Sequence, residues 1–232
     1  MSERAEHELL VEIHNAAIPD DPVDVEDHLG FLRSCREHAS FLALDGERHV
    51  GAAVGAVEPQ RVTPYLHLWV APDERRHGVG SELYRAVSAW CTEQSHRELE
   101  VSVRDDDSES LVFARRRGFA PFRGERGLVL ELTALEPPPV EPPAGVEIVT
   151  WAERPELARA IYEVAAEALP GIAGEEDPTI EPFEDWLEHD MRGRGDRPEA
   201  TFVALAGDEV VGYAKFSLTD AQPAPRTTTS RP

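Results

Sequence analysis

The sequence predicts a mixed α/β (α+β) fold: a mostly antiparallel central sheet flanked by helices, followed by a partial second copy of the same unit. Three observations carry this prediction. Apolar residues switch between the strand period of two and the helix period of 3.6 along residues 4–132. A Pro-rich stretch, EPPPVEPPAG at 136–145, divides the chain. On either side of it, FLALDGERHVGAA (41–53) and FVALAGDEVVGYA (202–214) share Phe, Ala, Leu, Gly, Val, Gly and Ala in register.

The elements follow in order. Leu9, Leu10, Ile13 and Ala17 set a helix over about 4–17, and a second helix is expected near 25–38. A hairpin covers 40–57, turning at Asp45-Gly46, and Tyr65–Val70 forms the next strand. Pro72 and Asp73 end that strand. A helix over about 78–95 presents Val79, Leu83, Ala86 and Trp90 as its apolar face. ELEVSV (98–103) alternates as a strand, a short helix spans 108–117, and strands at 119–125 and 127–132 close the unit. Beyond the prolines, which lock φ and remove donors, an apolar strand Val146–Trp151 precedes a helix carrying Leu157, Ile161, Val164 and Ala168. The hairpin at 202–214 follows, turning at Ala206-Gly207. Trp151, Phe183 and Trp186 are assigned to the core, and Glu175-Glu176-Asp177 to a loop. The expected organisation is therefore a domain at 1–135, a linker at 136–145, a half-domain at 146–219 and a disordered tail at 220–232. Nothing in the second half corresponds to residues 65–132. Its last hairpin would expose a sheet edge, which predicts contact between the halves or a homodimer through that edge.

Composition removes several function classes. With 232 residues and a net charge of −22, the chain has no general means of neutralising a nucleic-acid backbone. Lys215 is the only lysine, so arginine supplies the positive charge. Cys35 and Cys91 make neither a disulfide framework nor a metal-ligand cluster. The charged start MSERAEHELL lacks the apolar segment of a signal peptide, and no run reaches the length of a membrane span. A cytoplasmic protein without nucleic-acid, membrane or metal partners is expected.

One segment sets cations beside glycines at a helix entrance. In APDERRHGVGSELYRAV (71–87), a strand ends at Val70, a short loop turns, and a helix starts near Gly78. The first amides of a helix lack intrahelical partners and lie at the positive end of its dipole. Gly78 and Gly80 leave that backbone uncovered, while Arg75, Arg76 and His77 surround it with cations. A pyrophosphate would fit such a cradle. The absence of a Gly-Lys-Ser/Thr ending and of GxGxxG disfavours ATP and NAD. Taken alone, the pattern also suits a solvated surface turn.

Its context resembles the GNAT superfamily of acyl-CoA-dependent N-acetyltransferases, in tandem form with an incomplete second GNAT-like domain. Arg75, Gly78 and Gly80 satisfy the family's Arg/Gln-x-x-Gly-x-Gly/Ala pattern, and Gly118-Phe119 matches its later helix-closing Gly-Phe. The resemblance covers about 3–132 and implies acetyl-CoA as cosubstrate with no metal. It implies that amides from Arg76 through His77, Gly78, Val79 and Gly80 to Ser81 hold the pyrophosphate. It further implies that pantetheine runs beside Leu68, Trp69 and Val70, with the thioester carbonyl at an N–H near Val70. Asp107 stands where relatives often carry a cofactor-touching Asn.

Catalytic groups are less marked. The position at which many relatives place a tyrosine acid is Ala114 here. Tyr84 and Tyr65 match no family motif and read as packing residues. Glu58 and His67 are the candidates for a general base, set against a solvated loop carboxylate and a hydrogen-bonded core histidine. Arg115, Arg116 and Arg117 read as a solvated helix end within reach of phosphates. The resemblance implies transfer of acetyl to a primary amine of a small molecule in a ternary complex. The alternative is a degenerate module that binds acyl-CoA without turnover.

Overall fold

The computed structural model describes residues 3–58, 61–124, 136, 141–172, 179–193 and 195–217. Helices α1 (Glu3–Ala17) and α2 (Val25–Ser34) open the chain. Asp24 caps α2 by accepting from the Asp27 amide at 2.8 Å, and the helix stops at Cys35, which has extended φ and ψ. The second helix is thus shorter than the sequence predicts. Strand β1 (Glu37–Asp45) claims the residues beyond it and pairs antiparallel with β2 (Arg48–Val57). β3 (Tyr65–Val70) then pairs antiparallel with β2, giving the order β1-β2-β3.

Alternation along these strands gives the sheet two apolar faces. On one, Ala52, Val54 and Ala56 pack with Leu10, Ile13 and Leu32 of α1 and α2. On the other, Ala53 and Leu66 meet α3 (Val79–Glu93) through Leu83, Val87 and Cys91. Val79, Leu83, Val87 and Cys91 therefore form the inward stripe, while Ala86 and Trp90 flank it. The helix comes so close that a Cβ on Gly51 would lie 2.7 Å from Val79 Cγ1, and one on Gly55 2.7 Å from Trp90.

Residues 98–103 do not form a ladder strand. They meet β3 through one parallel bridge, Tyr65 to Glu100, in which Leu66 N donates to Glu100 O (2.8 Å) and Glu100 N to Pro64 O (2.9 Å). A buried ion pair between Arg61 and Glu100 pins this point. Past it the two segments separate. Helix α4 (Ser108–Arg115) follows. Residues 119–124 are not strand, and the remainder of the predicted strands, 125–132, lies outside the described residues.

In the second half, β4 (Val146–Thr150), β5 (Phe202–Ala206) and β6 (Glu209–Ala214) form an antiparallel sheet in the order β4-β5-β6. One face packs on α5 (Ala158–Ala168) and α6 (Phe183–Trp186) through Trp151, Ile161, Trp186, Val203 and Leu205. A wide helical turn, Leu187–Met191, continues α6 and buries Met191. Both hairpins carry a bulge at the same place in the shared pattern, between Ala43 and Leu44 and between Ala204 and Leu205. Residues 136 and 141–145 hold no regular element before β4, and 175–177 and the tail at 220–232 lie outside the described residues. Among the described residues no helix is long and apolar enough to cross a membrane.

Candidate functional site

The β3–α3 connection has two residues in the left-handed region, Arg76 (φ 69) and Gly78 (φ 92). Left-handed Gly78 followed by helical Val79 turns successive amides toward one concavity, the geometry of an anion nest. A Cβ at Gly78 would meet nothing within 4 Å, so its conformation rather than its space asks for glycine. The first intrahelical acceptor is Gly78 O, which takes Ser81 N at 2.8 Å and Glu82 N at 3.2 Å. The Val79 and Gly80 amides precede that first bond and point out of the helix end. The Ser81 amide is already committed. Its hydroxyl accepts from Arg117 Nη2 at 2.5 Å.

Side chains around the cradle are less available than the sequence suggests. Arg75 turns back, with Nε 3.4 Å from Val70 O and Nη2 3.4 Å from Ala17 O at the end of α1. Arg76 faces Glu109 at 3.6 Å and His77 faces Glu74 at 4.0 Å, both exposed. Arg117 is no solvated helix end. Its guanidinium lies 3.4 Å from the Phe113 ring centroid, and Nη1 donates to Phe113 O at 3.0 Å. Ser81, Tyr84, Arg85, Arg116 and Arg117 line a depression of about 430 Å³ beside the start of α3. Sequence reasoning missed this packing, although Phe113 and Arg117 stand four residues apart, the spacing of contact on one helix face.

The open edge of β3 adjoins the cradle. Because Leu66 N points to Glu100, strand alternation turns the N–H and C=O of Leu68 and Val70 to that same side, where the facing segment has diverged. Trp69 presents its backbone to β2 instead, opposite Ala52. Asp107 accepts from Ser110 N (3.0 Å) and Ser110 Oγ (2.6 Å), which makes it the cap of α4 and holds its carboxyl below the usual range. Arg104 joins the far side of the opening to the α1–α2 connection, donating to Asp20 at 2.7 Å and to Asp106 at 3.0 Å.

The two base candidates are not brought together on one element. Glu58 follows β2 at the Tyr65 end of β3, and its carbonyl accepts from Arg61 N at 3.1 Å. From there to the Val70 end is five residues of strand, about 17 Å. His67 projects from mid-β3 toward α1 and α2, edge-on to Phe31 and stacked on Trp69, which stacks in turn on His14. Its buried Nε2 has no partner among the described residues. Burial, then the charge of His14, lowers the His67 pKa to about 4. His28 is likewise lowered to about 4 by burial and then by His7, His14, His67 and His38. His7 Nδ1 and His28 Nε2 lie 3.2 Å apart. Among the described residues no group of three His, Cys, Asp or Glu could hold a metal ion. Burial also raises both thiols, that of Cys35 to about 12, so neither is a nucleophile at neutral pH.

These histidines give the fold a pH dependence of definite sign. Neutral His28 and His67 take up a proton on unfolding anywhere between about pH 4 and their ordinary 6.5. Stability is therefore present above pH 6.5 and lost as pH falls through that window. Thermal melts at pH 7.5, 5.5 and 4.5 are expected to show a falling midpoint, with a shallower slope in His28→Gln. An identical slope in the variant would remove His28 from this account.

Comparison with known proteins gives the following. Residues 5–119 match the model described as Acetyltransferase (GNAT) family. The acetyl transferase GW6a of Oryza sativa subsp. japonica is 28% identical over 116 residues, 43% of this chain; the match spans only 28% of the rice protein's length. A GCN5-related N-acetyltransferase from Sphaerobacter thermophilus has the same fold over 94% of this chain and 71% of its own, at TM-score 0.65 and 20% identity. An apo aminoglycoside 6′-N-acetyltransferase from Acinetobacter haemolyticus covers 57% of this chain and 96% of its own, at TM-score 0.45 and 20% identity.

Proposed function

From a GNAT-type domain over residues 5–119, we propose that this protein transfers an acetyl group from acetyl-CoA to a primary amine of a small molecule. One observation carries the reading: left-handed backbone at Arg76 and Gly78 leads into α3 directly beside a strand edge that offers the Leu68 amide and carbonyl and the Val70 amide. An anion seated on the Val79 and Gly80 amides places whatever it is attached to along that edge.

The chain's own groups then divide the work. The outward amides of Leu68 and Val70 and the Leu68 carbonyl pair with an extended amide-bearing arm as a neighbouring strand would, the Val70 carbonyl being taken by Arg75. An edge N–H, that of Val70 or of Leu68, donates to the thioester carbonyl oxygen and stabilises the charge gathering there as the amine attacks. The C–N bond forms, the C–S bond breaks, the sulfur leaves as thiolate, and the nitrogen gives up its surplus proton to solvent. Ala114 offers no proton at the place where relatives carry a tyrosine, so the thiolate takes its proton from solvent. His67 is held in its unprotonated, accepting form by burial, and a pKa near 4 makes it a weak base. Most of the rate in such a site comes from holding two reactants in line.

Incubation with acetyl-CoA and a panel of small primary amines is expected to release free thiol, read by a thiol-reactive dye. Tight acetyl-CoA binding without thiol release for any amine would favour the second reading, a binding module, which the residue at Ala114 motivates.

A further inference from the structure

In a chain of net charge −22, several exposed arginines stand against carboxylates: Arg4 with Glu8 and Glu26, Arg48 with Glu74, Arg104 with Asp20. The depression beside the start of α3 breaks that pattern. Three guanidiniums line it, and of these Arg85 is ion-paired, with Glu82. Among the described residues neither Arg116 nor Arg117 has a carboxylate partner. Arg117 is half-buried and fixed in place, with its guanidinium against the Phe113 ring and 5.4 Å from the Tyr84 ring centroid. Burial lowers its pKa, and the like charges of Arg85 and Arg116 lower it further. Cations gathered in this way repel one another unless an anion sits among them.

We infer that this depression receives a phosphomonoester, the phosphate carried on the ribose of the cosubstrate. Arg116 and Arg117 thereby select a coenzyme A thioester over thioesters that lack that group. The inference rests on the acetyl-CoA reading and adds a second anion to it. Ser81 joins the two features. It follows Gly80 of the cradle directly, and its hydroxyl accepts from Arg117. Tyr84 and Arg85 come one turn later, so the two anions lie within about 5 Å of each other along the helix axis. Their surroundings also sort the ligand's parts. Backbone groups at Leu68 and Val70 suit an uncharged, amide-bearing arm, whereas guanidinium forks match the oxygens of a phosphate. Two of the N–H groups of Arg117 are spent on Phe113 O and Ser81 Oγ, and the others remain for the ligand.

Calorimetry on the full chain compares acetyl-CoA with acetyl-dephospho-CoA, which differ only in that phosphate. Wild-type affinity is expected to be at least about tenfold higher for acetyl-CoA. Arg117→Met should remove most of that preference, weakening acetyl-CoA about tenfold and acetyl-dephospho-CoA by no more than about twofold. Arg116→Gln, at an exposed residue, should act alike and covers the case of a misfolded Arg117 variant. Equal wild-type affinity for the two thioesters would overturn the inference and leave the acetyl-CoA reading standing. So would losses that fall equally on both ligands in both variants, since the arginines would then only support the cradle. Failure of the wild-type chain to bind either thioester would remove the acetyl-CoA reading itself, and this inference with it.

Discussion

Gly80→Glu is expected to abolish measurable acetyl-CoA binding while leaving the fold in place. A Cβ at Gly80 would stand 3.1 Å from Phe113 Cε2 and 3.5 Å from Val70 Cγ2, a tight fit against side chains that can give slightly. The backbone there is ordinary helix, so no strain comes from φ. A carboxylate in the first turn even favours the helix, because it meets the positive end of the dipole. On the proposed cradle that same carboxylate would take the place of the anion and repel it. Calorimetry should show affinity lower by at least about a hundredfold, with Gly80→Ala losing no more than about tenfold. Wild-type affinity in Gly80→Glu would remove the cradle from the binding site altogether.

Gly51→Val is expected to destabilise the protein by about 3 kcal/mol or more, the scale of severe overpacking. Its Cβ would meet Val79 Cγ1 at 2.7 Å, Leu83 Cδ1 at 3.0 Å and the Trp69 carbonyl oxygen at 3.1 Å. Two of these are side chains of the helix; the third is backbone in the neighbouring strand and cannot step aside. Gly212→Val, at the matching place in the second sheet, should change stability little. Urea midpoints of the two variants provide the comparison. Equal losses would mean that the close approach of α3 does not decide the cost.

The parts of the fold that sequence exposes well are those whose partners are dictated by their own periodicity. Tyr65–Val70 is a strand with the predicted bounds, since its alternating residues meet two apolar layers. ELEVSV alternates as cleanly, yet it pairs only at Glu100, because alternation describes a strand's faces and says nothing about whether its edge has a partner. The end of α2 was misplaced for a related reason. Residues 35–38 can extend a helix, but pairing of Glu37 and His38 with Val57 and Ala56 competes and wins.

The candidate site divides along the same line. The helix start at Gly78 was legible because its left-handed backbone favours glycine. The commitments of the neighbouring groups were not, since they depend on distant chain: Arg75 on Ala17, Ser81 on Arg117, and Arg104 on Asp20. The imidazole cluster was invisible for the same reason. His7, His28 and His67 come from three elements, and only the stacking of α1 and α2 on β3 brings them together.

The junction at Glu100 has a mechanical meaning. Two strands joined along a ladder resist separation in proportion to the rungs that must break. Here there is one rung, locked by a buried guanidinium–carboxylate pair, so the opening beyond it behaves like a pair of dividers with a stiff pivot. The pivot fixes where the two segments part, and the tie from Arg104 to Asp20 fixes the far arm against the α1–α2 connection, so the width of the opening is set by contacts outside the sheet.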